Sequence, residues 1–352
     1  ALIPSPTSNL PPPTSQSPTS QDAAWAKIVE EAKREGLVTN YSFYFVADVG
    51  QALARAFKEK YGIRVETMVS SGRVLRERLK VEERIKQPIA DLTQSGVSTA
   101  VEILQDGLGV SIVDELPELR NRDVFVINPV YDPGKQILSF AVTYSDSLIN
   151  TRLVKPGEEP RSFYDLLDPK WKGKMILTDP RTGGGGGYQW FTVTRYYKVL
   201  DDDYFRRFVK QEPALFGGSD NEMIRMVARG EYAYAPRSGG TTSAPIAAEG
   251  APIRTLSMNE GITVQPEALM VMKNAPHPNA SRLFANWLFS AEGQLVYARA
   301  ASRNPLRKDV PDFLHPNARS QAKPLLVRTY EAVVAADRDL KSGIIDEIFG
   351  KK

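Results

Sequence analysis

The sequence predicts an α/β protein built on a largely parallel sheet, and three observations predict it. From residue 22 onwards, short apolar runs typical of buried strands alternate with amphipathic helical patterns. Glycines such as Gly36 and Gly62 follow two of these helical patterns, where a helix commonly ends. Turns that contain serine and glycine connect several of the strands to the helices that follow them.

The composition is typical of a globular protein and excludes several kinds of site. The chain has 352 residues, enough for two domains, with 42% hydrophobic and 25% charged residues. A net charge of +3 is too small to indicate nucleic-acid binding. There is no cysteine, and His277 and His315 are the only histidines, which excludes thiol nucleophiles, disulfides and the usual zinc sites. No apolar run approaches the 18 residues of a membrane span.

Residues 1–21 predict an extended tether rather than part of a core. Proline, serine and threonine dominate this segment, so it lacks the apolar surface that a core needs. An N-terminal tether would hold the protein at a membrane surface, and a lipid-modified cysteine would then lie upstream of Ala1. A terminus without defined structure explains the composition equally well.

The first part of the globular region predicts alternating helices and strands. In chain order, we expect a helix from about residue 22 to 36, a strand over 37–45, a helix over 51–61, a strand over 63–69, a helix over 73–86, a strand over 89–93 and a helix over 99–108. Ligands of such sheets bind beyond the carboxyl ends of the strands. The candidate binding residues at these ends are Tyr44, Ser70, Ser71, Gly72 and Ser95. Each serine could instead be an ordinary helix cap.

The second part of the chain predicts two strands that cross between lobes. These are residues 136–149 and 268–272, with further strand-like runs over 252–264. The other expected elements are a helix start over 162–167, a strand over 175–177, helices up to residue 200 and over 203–211 and 220–230, a strand over 231–236, one long helix over 279–300 and a helical C-terminal region over 321–349.

A glycine-rich turn gives the second lobe a candidate binding site. Thr182 precedes five consecutive glycines, of which Gly183 and Gly184 are the first, and a helical pattern follows them. The free N–H groups and the dipole of a helix start make such a turn a cradle for an anion or another polar ligand. No Gly-Lys-Ser/Thr follows, so this is not a Walker loop, and a flexible turn with nothing bound is the alternative.

A second candidate group lies at the end of the strand predicted over 231–236. Arg237 and Ser238 are followed by two glycines and two threonines. A guanidinium group among small, flexible residues suits the clamping of a carboxylate or phosphate. An ordinary surface arginine is the alternative.

Three blocks of sequence resemble the extracellular solute-binding proteins of ABC transporters, in the group that binds ferric iron, thiamine, polyamines, phosphonates and sugar phosphates. The first block is Trp171-Lys172-Gly173-Lys174 with Asp179-Pro180, and the second is Gly230-Glu231-Tyr232-Ala233. The third and most specific runs from Ala275-Pro276-His277-Pro278-Asn279-Ala280 through Phe284 and Trp287-Leu288 to Ser290-Ala291-Glu292-Gly293-Gln294. The resemblance covers nearly everything from Trp25 to about Val310.

The resemblance implies a two-lobed, class II periplasmic-binding-protein fold with the ligand in the cleft between the lobes. Lobe 1 would comprise residues 22–139 with 261–299, and lobe 2 residues 140–260. Residues 300–352 would form C-terminal helices that pack back on lobe 2. Hinge closure would bring the serines and Gly72 of lobe 1 to face the glycine turn and Arg237 of lobe 2.

This sequence lacks the metal-binding residues of the iron binders in this group, and that absence narrows the range of ligands to expect. The iron binders of this group hold the metal through paired tyrosines, and here Gly240 and Thr241 occupy that register. Val46 and Gly96, at two other ligand positions, also supply no metal ligand, whereas Tyr232 and Tyr234 are expected to pack in the sheet. A small anion such as a carboxylate, phosphonate or phosphate ester is therefore expected. Ferric iron held by other residues is the alternative.

The expected protein is a periplasmic or extracellular monomer that needs no cofactor and delivers its ligand to a membrane permease. Its only contact with the membrane itself would be the tether. An enzyme on the same fold is one rival, since fold does not fix function, but a serine triad would have to use His277 or His315 beside prolines. A scaffold protein is the other rival, and it leaves the glycine turn and Arg237 without a role.

Overall fold

The computed structural model describes residues 20–183, 185–311 and 323–351. The helices are α1 Ser20–Glu35, α2 Ala47–Tyr61, α3 Gly72–Ile85, α4 Val97–Gln105, α5 Gly185–Tyr196, α6 Asp202–Val209, α7 Asp220–Arg229, α8 Gly240–Ala248, α9 Pro278–Phe289, α10 Ala291–Ala301, α11 Tyr330–Ser342 and α12 Ile344–Phe349. The strands are β1 Leu37–Ser42, β2 Arg64–Val69, β3 Leu92–Gly96, β4 Gly109–Val110, β5 Leu138–Asn150, β6 Ile176–Thr178, β7 Ala214–Phe216, β8 Tyr234–Gly239, β9 Ile253–Leu256, β10 Ile262–Met272 and β11 Leu325–Val327. None of these helices is both long and apolar enough to cross a membrane. Residues 1–19 of the predicted tether lie outside the described residues, and its last two, Ser20 and Gln21, belong to α1.

The large sheet has the strand order β2-β1-β3-β10-β5-β8, with β4 and β11 paired to β10 and β9 paired to β5. Strands β2, β1 and β3 are parallel, as the alternation of strands and helices predicts. Strands β10, β5 and β8 are antiparallel to their neighbours in this order, so only one part of the sheet is parallel. A separate parallel pair, β6 and β7, touches β8 through the bridge between Met175 and Tyr234.

Strands β5 and β10 connect the first half of the fold, around β1 to β3, with the second half, around β6 to β8, as predicted. The first part of β5 pairs with β10 between Leu138 and Ser145, and its last part pairs with β8 and β9 up to Asn150. The register between β10 and β5 shifts between Glu267 and Ala268, where the structure has a bulge. A bulge bends a strand and re-aims its side chains.

Four hydrophobic clusters form the core, two in each half. Phe57 and Trp287 lie in the large cluster beneath α2 and α9, and Leu75 lies in the cluster beneath α3 and α4. In the other half, Trp190 lies in the cluster of α5 and α6, and Ile224 in the cluster of α7 and β9. The exact lobe boundaries predicted near residues 140 and 260 remain predictions.

The single long helix predicted over residues 279–300 is wrong, because Ser290 separates α9 from α10. Ser290 has extended backbone angles, and its Oγ accepts a hydrogen bond from the N–H of Gly293 at 3.1 Å. The backbone packs closely here, since a Cβ on Gly293 would lie 2.0 Å from the carbonyl oxygen of Trp287. Apolar periodicity continues through this break and does not reveal it.

The C-terminal region is not wholly helical, because it begins with the short strand β11, which pairs in parallel with β10. Helix α11 follows and contacts both α5 and α4. Val333 of α11 belongs to the cluster beneath α3 and α4, whereas Ala336 belongs to the cluster of α5 and α6. The prediction placed the C-terminal helices on lobe 2, but α11 also packs on the first half because both sides of the helix carry apolar residues.

Candidate functional site

The five candidate residues of the first half lie at the carboxyl ends of β1, β2 and β3, as predicted from the parallel arrangement. Ser71 is exposed, and its Oγ caps α3 by accepting a long hydrogen bond of 3.5 Å from the N–H of Val74. Ser70 is half-buried, and its N–H donates to the carbonyl of Ser42. Gly72 lies so close to α4 that a Cβ would stand 2.6 Å from Oγ1 of Thr99. The described contacts of Ser71 are thus those of a helix cap.

Tyr44 is the candidate of this half that lies among charged groups. Its hydroxyl lies next to Gly96, 3.8 Å from where a Cβ of that glycine would be. Burial raises the pKa of Tyr44 strongly, and the Glu267 carboxylate raises it further, whereas Arg303 and Arg328 lower it. Its hydroxyl is therefore neutral over the physiological range and can donate a hydrogen bond.

Ser95 is buried at the end of β3. Its Oγ has one hydrogen bond within the described residues, a long one of 3.4 Å to the carbonyl of Gly96. The residue therefore keeps hydrogen-bonding capacity at the carboxyl end of β3.

The glycine turn starts α5, as predicted, but an internal carboxylate already occupies the start of that helix. The N–H of Gly186 donates to Oδ1 of Asp220 at 3.1 Å, and the N–H of Gly187 donates to Oγ1 of Thr178 at 2.7 Å. Oγ1 of Thr178 donates to the same Asp220 oxygen at 3.1 Å. Asp220 thus takes the position that the helix dipole offers to an anion.

The other candidates at this turn lie nearer the surface. Gly183 is exposed with a positive φ of 69°, and the exposed Thr182 donates from Oγ1 to the carbonyl of Asp179 at 2.9 Å. Gly184 lies outside the described residues.

Arg237 lies within β8 rather than after it, and it is buried, not at the surface. Its Nη2 donates to Oε1 of Gln189 at 2.9 Å, and its Nη1 lies 3.4 Å from Oδ2 of Asp220. Its Nε is buried and has no hydrogen-bond partner among the described residues. Burial lowers the pKa of Arg237, and Asp220 offsets only part of that effect. Ser238, next to it, is buried and donates from Oγ to the carbonyl of Asp146 at 3.2 Å.

A second buried arginine, Arg328, lies directly after β11 and was not among the predicted site residues. Its N–H donates to the carbonyl of Val264 in β10 at 2.9 Å, and its Nη2 donates to Oγ of Ser98 in α4 at 2.8 Å. Only 6% of Arg328 is exposed, its Nε has no partner, and no ion pair with an acidic side chain holds it in the part of the chain that the structure describes. Burial, with a smaller contribution from the positive charge of Arg237, lowers the pKa of Arg328 to about 10.

The two arginines lie within electrostatic reach of each other, and the acidic residues Asp132 and Glu331 line the same pocket as Arg328. Arg237 comes from β8, Arg328 from the segment after β11, and the hydroxyls of Tyr44 and Tyr188 lie near Arg328. Arg328 also lines a pocket of about 210 Å³ with Val97, Pro266 and residues of the 127–139 and 327–331 segments. Of the predicted binding residues that the structure describes, none lines that pocket.

The described residues hold no group of three or more His, Cys, Asp or Glu side chains that could bind a metal ion. At the register positions where iron binders carry ligands, this chain has Val46, Gly96, Gly240 and Thr241. The buried carboxylate that acts on Tyr44, that of Glu267, is already bound by Arg303 at 2.8 Å and by the Tyr297 hydroxyl.

The sequence model of the family described as "Bacterial extracellular solute-binding protein" matches residues 52–327, well over half of the chain. The chain belongs to the bacterial extracellular solute-binding proteins. Such proteins are the solute-binding components of ABC importers, so the predicted family is confirmed. A solute-binding protein of this kind binds a small ligand and passes it to a membrane permease.

Three solved structures show the same fold. Trichodesmium IdiA (FutA) in complex with iron and citrate has a TM-score of 0.73 and 20% sequence identity, and the match covers 90% of this chain and 100% of that one. Iron-bound HitA from Pseudomonas aeruginosa has a TM-score of 0.68 and 18% identity, over 89% of this chain and 99% of that one. AfuA from Actinobacillus pleuropneumoniae with fructose-6-phosphate has a TM-score of 0.60 and 18% identity, over 89% of this chain and 97% of that one. These likenesses confirm the two-lobed periplasmic-binding-protein fold. A curated relative is an uncharacterized protein from Haemophilus influenzae, 26% identical over 69% of this chain and 70% of its own length.

Proposed function

We propose that this solute-binding protein captures a small organic anion between Arg237 and Arg328 and presents it to the permease of an ABC importer. The observation that carries the proposal is the pair of buried arginines, each with an unpartnered Nε, of which only Arg237 forms an ion pair with an acidic side chain among the described residues. A buried charge is costly unless a counter-charge and hydrogen bonds satisfy it. A carboxylate, phosphonate or phosphate ester supplies both.

The two arginines are held by opposite halves of the fold. Arg328 is anchored to α4 and β10, whereas Arg237 is anchored to Gln189 of α5 and to Asp220 of α7. The charge of Arg237 lowers the pKa of Arg328, which means that the two guanidinium groups repel each other. An anion between them replaces this repulsion with two attractions.

Hinge closure follows from this arrangement as a shift of populations. A ligand that contacts both halves only in the closed form stabilises that form by the difference in its affinity for the two. Tyr44 and Ser95 from the first half would complete the hydrogen bonds to the ligand. Of the predicted site residues, Tyr44, Ser95 and Arg237 thereby keep their proposed roles, with Arg328 added.

The named ligands of the similar structures fit an anionic solute. Citrate, which accompanies iron in the Trichodesmium complex, and fructose-6-phosphate in the Actinobacillus protein are both organic anions. We further propose that the protein works as a non-catalytic monomer outside the cytoplasmic membrane, tethered through residues 1–21.

A ligand screen by thermal unfolding tests the proposal. The purified chain is tested against monocarboxylates, dicarboxylates, phosphonates, phosphate esters, amines, thiamine and ferric iron. A ligand at a hundredfold excess over its Kd stabilises the protein by about 2.7 kcal/mol, which is easily measured. We expect a shift with an anion and its loss in Arg237→Met and Arg328→Met. Arg229→Met is the matched control, because Arg229 is exposed and pairs with Glu231.

Two results would contradict the proposal. One is a shift with ferric iron or amines alone, which would keep the transport role but remove the anion site. The other is an anion-induced shift that persists in both arginine variants, which would place the ligand elsewhere in the protein.

A further inference from the structure

We propose that the pocket beside Arg328 is a second binding site, distinct from the cleft between the two halves, and that it takes an α-amino acid with a short apolar side chain. The inference goes beyond the proposed function, because the ligand of this pocket and the ligand of the cleft would be separate molecules. The observation that carries it is that Arg328 and Asp132, two buried side chains of opposite charge, line one cavity and form no ion pair within the described part of the chain.

The pocket lies against the strands that connect the two halves, but on the side of the first half. Its wall includes Ser139 of β5, Pro266 of β10 and Val327 of β11. Among the described residues, none from β6 to β9 or from α5 to α8 lines it. A molecule inside this pocket would therefore contact a different set of residues from a ligand held against Arg237 in the cleft.

Arg328 supplies the positive charge of the pocket. Its Nη2 donates to Oγ of Ser98 at 2.8 Å, and its Nη1 makes no hydrogen bond in the part of the chain that the structure describes. A guanidinium group presents its N–H donors as a fixed fork that fits a carboxylate. The free donors of Arg328 thus suit the carboxylate of a ligand.

Asp132 supplies the opposite charge, and only 6% of it is exposed. Its Oδ1 accepts from the N–H groups of Gln136 and Ile137 at 2.7 and 2.6 Å, whereas Oδ2 accepts only from the N–H of Gly134 at 2.9 Å. These bonds fix the carboxylate in the turn before β5 and leave Oδ2 able to accept a further hydrogen bond, as an ammonium group would supply. Glu331, exposed in the first turn of α11, adds a second carboxylate to the wall.

The rest of the wall and the size of the pocket define the body of the ligand. Apolar side chains form much of the wall, among them those of Val97, Ile127, Pro129 and Ile137. The volume is about 210 Å³, and a cavity of about 150 Å³ already holds benzene. An amino acid of the size of valine or leucine meets both charges and the apolar wall. A simple carboxylic acid would leave Asp132 without a counter-charge, and a simple amine would leave Arg328 without one, which is costly in a buried site.

The experiment uses ligands that share one side chain and differ in their charged groups. The full chain is studied at pH 7 by thermal unfolding and calorimetric titration with L-valine and L-leucine. The comparison ligands are 4-methylpentanoate, which is leucine without its ammonium group, and 3-methylbutylamine, which is leucine without its carboxylate.

Three variants locate the site. Asp132→Asn removes the charge of the pocket carboxylate and keeps one oxygen that accepts from the turn. Arg237→Met alters the cleft and leaves the pocket wall unchanged. Asp123→Asn is the matched control, since it removes an equal charge from an exposed position outside the pocket.

We expect the native chain to bind valine or leucine, and to bind both comparison ligands at least about tenfold more weakly than leucine. Asp132→Asn should weaken amino-acid binding by about tenfold or more, whereas Arg237→Met and Asp123→Asn should leave it unchanged. The comparison of ligands on the native chain does not depend on whether Asp132→Asn folds.

Three results would overturn the inference. They are no response of the native chain to either amino acid, equal binding of leucine and 4-methylpentanoate, and loss of amino-acid binding in a folded Arg237→Met protein. The last result would place the amino acid in the cleft. None of the three decides whether an anion binds between Arg237 and Arg328, because the anion screen tests that proposal separately.

Discussion

Replacing Arg328 with methionine should make the empty protein more stable while it abolishes ligand binding. Burial moves the pKa of Arg328 from 12.5 to about 10, so the fold disfavours the charged guanidinium relative to the unfolded chain. At 1.36 kcal/mol per pKa unit, this corresponds to a cost of about 3 kcal/mol at neutral pH, where the group is charged in both states. Methionine removes that cost and gives up the hydrogen bond to Ser98, worth about 1.5 kcal/mol or somewhat more. A net gain of about 1 kcal/mol is expected.

Urea unfolding followed by tryptophan fluorescence measures this gain, with and without the anion found in the screen. The comparison variant is Arg303→Met, in which a buried arginine of the opposite kind is removed. Arg303 binds Glu267, which is only 1% exposed, so its loss leaves an unpaired buried carboxylate and should cost about 3–5 kcal/mol. A gain in stability for Arg328→Met and a loss for Arg303→Met would show that Arg328 serves ligand binding, whereas Arg303 serves the stability of the fold.

The reasoning fails if Arg328→Met and Arg303→Met destabilise the protein to a similar extent. That result would mean that Arg328 already has a structural counter-charge, and the proposed anion would then have no unpaired guanidinium to bind.

Three further predictions concern stability. In Gly187→Ala, the new Cβ would lie 1.8 Å from the carbonyl oxygen of Thr178, so α5 must move. The free energy of unfolding, measured with urea, should fall by about 2–4 kcal/mol. Gly217→Ala is the control and should change the stability little, because no atom lies within 4 Å of the new Cβ. Ser290→Ala removes the N-cap of α10 and should cost about 1 kcal/mol by the same assay, whereas an unchanged midpoint would show that packing alone sets the break. Burial raises the pKa of Tyr41 to about 12, so the folded state keeps a proton that the unfolded chain loses near pH 10, and stability should fall as the pH rises from 10 to 12. Tyr41→Phe should reduce that fall, and equal pH profiles of the two proteins would contradict the assignment.

Local sequence patterns predicted the elements that local interactions determine. The apolar runs and the glycines after the helices are sufficient for β1 to β3 and α1 to α4, because each of these elements begins and ends through its own residues. The parallel register then places Tyr44 and Ser95 at one edge without further information. The break between α9 and α10 was missed because it depends on the approach of Gly293 to the Trp287 carbonyl, which periodicity does not encode.

The charged part of the site could not be predicted because its contacts are distant in sequence. Arg328 follows a three-residue strand that is defined by its pairing with β10, and its partner Ser98 is 230 residues away. Asp220 resembles an ordinary residue in the first turn of a helix, and only its contact with Gly186, 34 residues away, shows that it faces the glycine turn. Arg237 was found because the strand was predicted to end just before it, whereas the structure places it within β8 and buries it.

Helix α11 links the two halves of the fold, because it lies against both α4 and α5. Its Val333 packs in a cluster of the first half and its Ala336 in a cluster of the second. Any motion of one half relative to the other must therefore change the packing of α11 on at least one of them.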